Sequence, residues 1–443
     1  MTKKVLSLFS GCGGMDLGFE GAFKVPAACI NTDIYPEWAK QTKQDYITLP
    51  KTDFKLVFAN DILPSAKLAW TSYFKQYGYS EDVFHLDSIV DLVKAYKQGE
   101  FDFPSEIDIV TGGFPCQDFS VAGKRKGFNS DKCHNGFKNG EGEINPENRG
   151  LLYLWMREVI QIAKPKVFIA ENVKGLISLG NVKEIIENDF RNIDEQGYLV
   201  VPARVLFAAD YGVPQRRERI IFIGLNKKYL RKEALEELSK ETISVEYDPY
   251  PLKTHYNQNN NVNGQLGLYA DLLKLKPYVT TKQALQGLPE PEFTTKDLSQ
   301  SHYSKAKWCG NTQGQTEIDL NGVSPTIRAE HHGNIEYRRL SLEHGGKHFE
   351  ELKKGLPERR LTIRECARLQ TFPDNYEFVQ AANKPGKYNI SASSAYKLIG
   401  NAVPPLLAYH IAKRLEYLWP IIFEDKPKNT ISMDIEEKQA VLT

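Results

Sequence analysis

The chain is 443 residues long and almost charge-neutral, with 57 Lys and Arg against 56 Asp and Glu, so bulk charge points to no polyanionic partner and any such surface has to come from local clustering. Its 41% hydrophobic and 26% charged residues are those of a folded chain with room for one large domain and a smaller one. No run approaches the roughly 20 apolar residues that span a bilayer, and the apolar stretch after Met1-Thr2-Lys3-Lys4 is too short for a signal peptide, so the expectation is a cytoplasmic protein without a membrane span.

In chain order, apolar runs at 5–9, 27–33, 107–111, 167–170 and 220–224 predict strands. The stretches between them are long enough for crossover helices, and 151–160 carries apolar residues at near-helical spacing. This alternation predicts an α/β fold: a doubly wound, mostly parallel, Rossmann-like sheet that binds ligands at the carboxyl ends of its strands. After Gly224 the texture changes. Residues 226–246 are charged and helical in character, 247–267 are rich in Tyr, Pro and Asn, and little periodicity remains as far as 358. The division predicted is a first domain over 1–225, a smaller irregular one over 226–358, a connecting segment over 359–390, a helix returning to the first domain over 391–420 and a polar tail over 421–443. Thr362-Ile363-Arg364-Glu365 is a capping box that opens a helix through Gln370, stopped by Phe372-Pro373-Asp374. The last helix starts at Pro404-Pro405, where proline suits the first turn, and its stripe Leu407, Ile411, Leu415 and Leu418 predicts docking on a core.

Val5-Leu6-Ser7-Leu8-Phe9 leads into Ser10-Gly11-Cys12-Gly13-Gly14 and then Met15-Asp16-Leu17-Gly18, the pattern of a strand, a tight turn and a helix. Glycine lets backbone approach a ligand at a helix N-terminus. Asp16, however, stands where a dinucleotide fingerprint has its third glycine, so the turn by itself reads either as a nucleotide site or as a tight structural turn. Asp33, ending the next predicted strand, is placed to meet a ribose hydroxyl pair, although an Asp there is also an ordinary turn residue. Asn60-Asp61-Ile62 would put a second acid near an adenine amino group. With no Walker lysine motif, and an acid at the ribose, the set describes a nucleoside cofactor lacking phosphates.

Six cysteines, Cys12, Cys29, Cys116, Cys133, Cys309 and Cys366, are scattered without CxxC pairs or matching histidine spacing, so neither a zinc or other metal site nor a disulfide framework is expected. A lone cysteine is ordinarily a small buried hydrophobe. Cys116 has a different setting: it follows Gly112-Gly113-Phe114-Pro115 in a sharp turn at the predicted sheet edge, with Lys124-Arg125-Lys126 close behind. A free thiol is only a few per cent thiolate at neutral pH, and positive neighbours raise that fraction. Cys116 is therefore a candidate nucleophile.

On these residues the chain resembles the DNA cytosine-5 methyltransferases, of the bacterial kind found in type II restriction–modification systems. The motif Gly112-Gly113-Phe114-Pro115-Cys116-Gln117-Asp118-Phe119-Ser120 is joined, in the family's order, by the glycine turn, Glu171-Asn172-Val173, Gln215-Arg216-Arg217-Glu218-Arg219, Arg360-Leu361-Thr362-Ile363-Arg364-Glu365 and Gly400-Asn401-Ala402-Val403. The resemblance implies S-adenosylmethionine as cofactor, held by Phe9, Gly11, Gly13, Gly14, Asp33, Ile34, Asp61, Ile62, Asn401 and Ala402. It implies double-stranded DNA as substrate and covalent catalysis, in which Cys116 adds to C6 of a cytosine rotated out of the stack and so makes C5 nucleophilic. Glu171 matches the carboxyl group at N3 and the exocyclic amine, and Arg219 the group at O2. Arg217, at an alternating position and so on the same face, is grouped with them as catalytic. Gln117, Ser120, Lys124, Gln215, Thr326, Arg328 and Arg338 are carried over as DNA contacts. Ile34, where some relatives have tryptophan, and Ala402, in place of a frequent serine, depart from the pattern.

The loop 129–147 looks like an insertion, read either as an extension of the flap over the flipped base or as a surface insertion without function. Residues 226–358 sit where the family keeps its target-recognition domain. The stretch 323–334, with its pair Thr326-Ile327, resembles readers of GGNCC or GGWCC, and Arg338, Arg339, Arg359 and Arg360 are candidates for phosphate contacts. A monomer is expected, paired in function with a restriction endonuclease for the same site. A tRNA methyltransferase of the same family is one rival, against which the long recognition segment argues. A DNA-binding regulator without catalysis is another, against which Cys116, Glu171 and Arg219 argue. A dinucleotide oxidoreductase is the fold-only reading and fails on the cysteine motif.

Overall fold

A computed structural model describes residues 2–43, 45–115, 151–194, 197–258, 272–294, 296–310, 312–329, 335–384 and 386–423. Val5, Leu6 and Leu8 are buried on both sides of the pleat, which suits a strand in mid-sheet, and they lie in β1 (Lys3–Leu8). With it stand β2 (Phe54–Asn60), β3 (Phe84–His85), β4 (Ile109–Gly113), β5 (Val167–Val173), β6 (Tyr198–Phe207) and β7 (Glu218–Asn226). Their order is β3-β2-β1-β4-β5-β7-β6. Neighbours pair in parallel except at β7, which is antiparallel to both β5 and β6. The chain lays β2 and β3 on one side of β1 and then crosses to lay β4 on the other, so a switch point opens between β1 and β4 at their carboxyl ends.

Alternate side chains of each strand go to opposite faces. Val5, Leu56, Ile109, Ile169, Ile221 and Ile223 enter one core, and Leu6, Phe58, Val110, Phe168, Ile220 and Phe222 the other. The helices are α1 (Gly14–Glu20), α2 (Pro64–Phe74), α3 (Ile89–Gln98), α4 (Leu152–Ala163), α5 (Val182–Arg191), α6 (Ile363–Leu369), α7 (Ala392–Asn401) and α8 (Pro405–Ile422), with short ones between them. α1, α2 and α8 pack into the first core, α3, α4 and α5 into the second. Every residue of α1 is buried. It is so close to α8 that a Cβ on Gly18 would stand 2.4 Å from Ala408 Cβ and 2.6 Å from Tyr409 N.

The run 27–33 is not a strand. Ala27–Cys29 is a single 3-10 turn, and the strands around it (Lys24–Pro26, Gln41–Lys43 and Tyr46–Thr48) form a separate three-stranded antiparallel sheet. Pro26 and Pro36 bracket the run and cannot donate to a central ladder, so Phe54–Asn60 takes the place beside β1. The two outer strands β3 and β6 carried no clear sequence pattern. Elsewhere the local signals hold: the Thr362 side chain and Glu365 form the capping box of α6, and α8 begins at Pro405 and runs to Ile422, four residues past the last member of the predicted stripe, Leu418. After β7 come a short helix, Lys232–Leu238, and three two-stranded sheets. Among the described residues no helix is long and apolar enough to cross a membrane.

Gly18→Ala should destabilise the protein by about 1–3 kcal/mol through overpacking against α8, even though alanine is the better helix former. Urea denaturation checks this. An unchanged or raised midpoint would show that α8 can move aside.

Candidate active site

At the switch point the strand ends enclose a cavity of about 470 Å³. Its floor takes residues from adjacent strands in a row: Asp61 after β2, the glycine turn after β1, Thr111 to Pro115 on and after β4, Glu171 on β5 and Arg219 on β7. Lys397, Leu398 and Gly400 to Val403, from α7 and the turn after it, close the other side.

The glycine turn owes its shape to left-handed backbone at Gly11 (φ 54°) and Gly13 (φ 76°), which glycine adopts without steric cost. It aims the Gly11 amide at Asp61 Oδ2, 2.9 Å away, while Leu63 N donates to Asp61 Oδ1 at 2.9 Å. Two backbone amides therefore hold this acid. Burial pushes its pKa up, and these amides and the Lys397 ammonium oppose the shift. Beneath the turn, Asp16 accepts from Ser7 Oγ at 2.5 Å and from Trp70 Nε1 at 2.7 Å. The residue that breaks the dinucleotide pattern is thus a buried brace between β1 and α2, and burial lifts its pKa from 3.8 to about 6.

At the other end, Glu171 lies opposite Gly113 in the β4–β5 ladder. A Cβ on Gly113 would stand 2.8 Å from Glu171 Oε2, so the bare glycine gives the carboxyl group its space. Arg219 Nε is 2.7 Å from Glu171 Oε1. Burial raises the Glu171 pKa, and Arg219 and Arg217 pull it back only in part, so the group is inclined to hold a proton. Asn172 Nδ2 donates to Phe114 O at 3.2 Å, which anchors the backbone just ahead of Pro115. Pro115 lines the cavity, and Cys116 follows it in sequence. Cys116 itself, with Gln117, Ser120, Lys124 and the loop 129–147, lies outside the described residues, as does the tail from 424.

Of the other expected cofactor residues, Phe9, Gly11, Gly14, Asp61, Ile62, Asn401 and Ala402 line the cavity, and Gly13 caps α1 beside it. Asp33 and Ile34 are not brought there. Asp33 is exposed, 3.9 Å from Lys276, because its segment is not the strand beside β1. Asp61 follows the strand that does lie beside β1, and it lines the cavity.

The structure engages several of the expected catalytic and DNA-contacting residues in contacts within the protein. Arg217 is fully buried and donates to the carbonyls of Ile327 (3.1 Å), Gly400 (2.9 Å) and Ala402 (2.8 Å), so it braces the walls and does not line the cavity. Gln215, also fully buried, bonds Gln370 Oε1 at 2.6 Å, Leu369 O at 3.2 Å and Ile327 N at 3.1 Å. Arg338 makes two bonds to Glu351, at 3.0 and 2.6 Å. Arg339 and Arg359 share Glu290 inside the protein, and Arg360 donates to the carbonyls of Ala306 and Gly314, so none of these presents a free charge to phosphate. Thr326 donates to Arg216 O at 2.6 Å and stays partly accessible. Arg328 is 3.0 Å from Glu336. Lys397 went unnoticed in the sequence, although it stands four residues before Asn401 and so shares its helix face.

A family model for C-5 cytosine-specific DNA methylases matches residues 3–417. The chain belongs to that family. This DNA cytosine-5 methyltransferase is 32% identical to the type II methyltransferase M.BsuRI of Bacillus subtilis, over 99% of this chain and 85% of the relative. It is likewise 32% identical to M.BspRI of Lysinibacillus sphaericus, over 93% and 81%. The methyltransferase is accordingly one of the type II restriction–modification kind. The crystal structure of S. pombe Dnmt2 methyltransferase matches with a TM-score of 0.51 and 18% identity, over 94% of this chain and 99% of that one, a likeness of fold.

Because the folded methyltransferase holds the Asp16 proton more tightly than the unfolded chain does, this group's contribution to stability falls as the pH rises from 3.8 to about 6. Asp16→Asn can still donate to Ser7 and accept from Trp70. Relative to the unmodified protein it should gain up to roughly 3 kcal/mol between about pH 4 and about pH 8, read from urea midpoints at each pH. A difference that does not change with pH would rule the carboxyl group out as its source.

Proposed function

We propose that this methyltransferase takes its methyl group from S-adenosylmethionine and transfers it to C5 of a cytosine turned out of a short double-stranded DNA site, with Cys116 as nucleophile. The observation that carries this is one cavity with two chemistries. At one end stands a backbone-oriented acid, Asp61, beside a glycine turn; at the other, Glu171 and Arg219 stand 2.7 Å apart. The first set suits a nucleoside, with Asp61 at the ribose hydroxyls and Ile62 and Ile89 available to the adenine. The second suits the edge of cytosine: a protonated Glu171 donates to N3 and accepts from the amino group, and Arg219 donates to O2.

When bound, the cofactor supplies an electrophilic methyl group on a sulfonium. The Cys116 thiolate adds at C6 and drives electrons onto C5 and toward N3 and O2, where Glu171 and Arg219 meet the developing charge. C5 takes the methyl group, with S-adenosylhomocysteine as the neutral thioether left behind; the proton on C5 then leaves to a base, and the thiolate is expelled to restore the ring. A thiolate cannot reach C6 of a base stacked in the duplex, so the cytosine has to leave the stack. We further propose that the protein acts as a cytoplasmic monomer and shields its site from a companion endonuclease, with residues 226–358 as the target-recognition domain.

Bisulfite sequencing of unmethylated plasmid after incubation with the protein and S-adenosylmethionine should show protected cytosines in one short motif, expected as GGNCC or GGWCC. Cys116→Ser should abolish protection. Glu171→Gln should lower kcat by about 10²- to 10⁴-fold while leaving the affinity for S-adenosylhomocysteine unchanged. No protected cytosine despite demonstrated cofactor binding would overturn the proposal and turn attention to tRNA.

A further inference from the structure

Buried polar side-chain atoms almost always have a hydrogen-bond partner, and an orphan calls for an explanation. Among the described residues, Thr111 Oγ1 is buried without a partner, and of such atoms it alone lies on a residue lining the cavity. Its neighbours in the sheet do not satisfy it. On β1 it faces Ser7, whose hydroxyl is committed to Asp16 and accepts from Ser10. On β5 it faces Ile169, which has no polar side-chain atom. The next residue of β4 on the same face is Gly113, so no side chain covers the hydroxyl on the way to Glu171.

The strand order then decides what this hydroxyl meets. Asp61, the glycine turn, Thr111 and Glu171 belong to the successive strands β2, β1, β4 and β5. With an adenosyl group at Asp61 and a cytosine at Glu171, the sulfur and amino-acid portion of the cofactor spans the gap between them, over Thr111. We propose that Thr111 Oγ1 hydrogen-bonds the charged α-amino-carboxylate end of S-adenosylmethionine and so positions the sulfonium toward the base. This rests on the reading that the cavity takes that cofactor. A valine here would have the same shape and no orphan atom, so the hydroxyl serves the ligand and not the fold.

The test is calorimetric titration of the full-length protein and of Thr111→Val and Thr111→Ser with two probes. S-adenosylhomocysteine carries the amino-acid end, and 5′-methylthioadenosine lacks it. Thr111→Val should bind S-adenosylhomocysteine about 10- to 100-fold more weakly, the range for a bond to a charged group, and 5′-methylthioadenosine as well as the unmodified protein does. Thr111→Ser should restore the loss, and the ligand-free melting temperature of Thr111→Val should be unchanged or higher. Undiminished affinity of Thr111→Val for S-adenosylhomocysteine, or an equal loss for both probes, would overturn the proposal while leaving the cofactor reading intact. If the unmodified protein binds neither probe, the cofactor reading fails and this proposal falls with it.

Discussion

β7 runs antiparallel to β5, and that direction brings a cation to the edge where the other strands deliver their functional ends. In the β5–β7 ladder Ile221 lies opposite Glu171 and Arg219 opposite Val173. Two residues apart in an extended strand, Ile221 and Arg219 share a face, so the guanidinium arrives beside the Glu171 carboxyl group. A parallel β7 would put its first residues at the opposite edge, some 20 Å away for a strand of ordinary length. The rest of the wall is arranged around this pair. Gly113 leaves room for the carboxyl group, Asn172 holds the backbone that leads to Cys116, and burial keeps the acid inclined toward its protonated form.

The pair needs fixed walls, and buried polar groups supply them. Arg217 takes carbonyls from Ile327, Gly400 and Ala402, tying the stretch after β7 to the end of α7. Gln215 joins Ile327 to the end of α6. A guanidinium taken out of water is costly unless acceptors meet its donors, and here carbonyls from segments far apart in sequence together meet its two terminal nitrogens. Further along the chain, Arg339 and Arg359 with Glu290, Glu351 and Glu365 follow the same rule. These arginines, candidates for phosphate contacts in the sequence, are internal joints.

The parts of the fold that were legible in the sequence depend on local physics. The glycine turn follows from backbone freedom, the start of α6 from Thr362 and Glu365 capping each other, and the start of α8 from proline at the first turn. Strands β1, β4, β5 and β7 showed as apolar runs because both of their faces are covered. β3 and β6 stand at the margins of the sheet and lacked that signal. The run 27–33 looked like a strand because periodicity does not register which segment competes for a place beside β1, and Phe54–Asn60 holds that place.

By itself, the sequence determined the family, the doubly wound sheet, and the presence of a glycine turn, a cysteine after Gly-Phe-Pro, a glutamate and an arginine set in ordered motifs. Each of these is a property of adjacent residues. The tertiary structure decided which of them face the cavity: Asp61 and not Asp33, Arg219 and not Arg217, and Thr111 and Lys397, which no motif had singled out. Strand order, strand direction and burial settle those choices, because they fix which side chains from distant segments meet and which polar groups lose their contact with water.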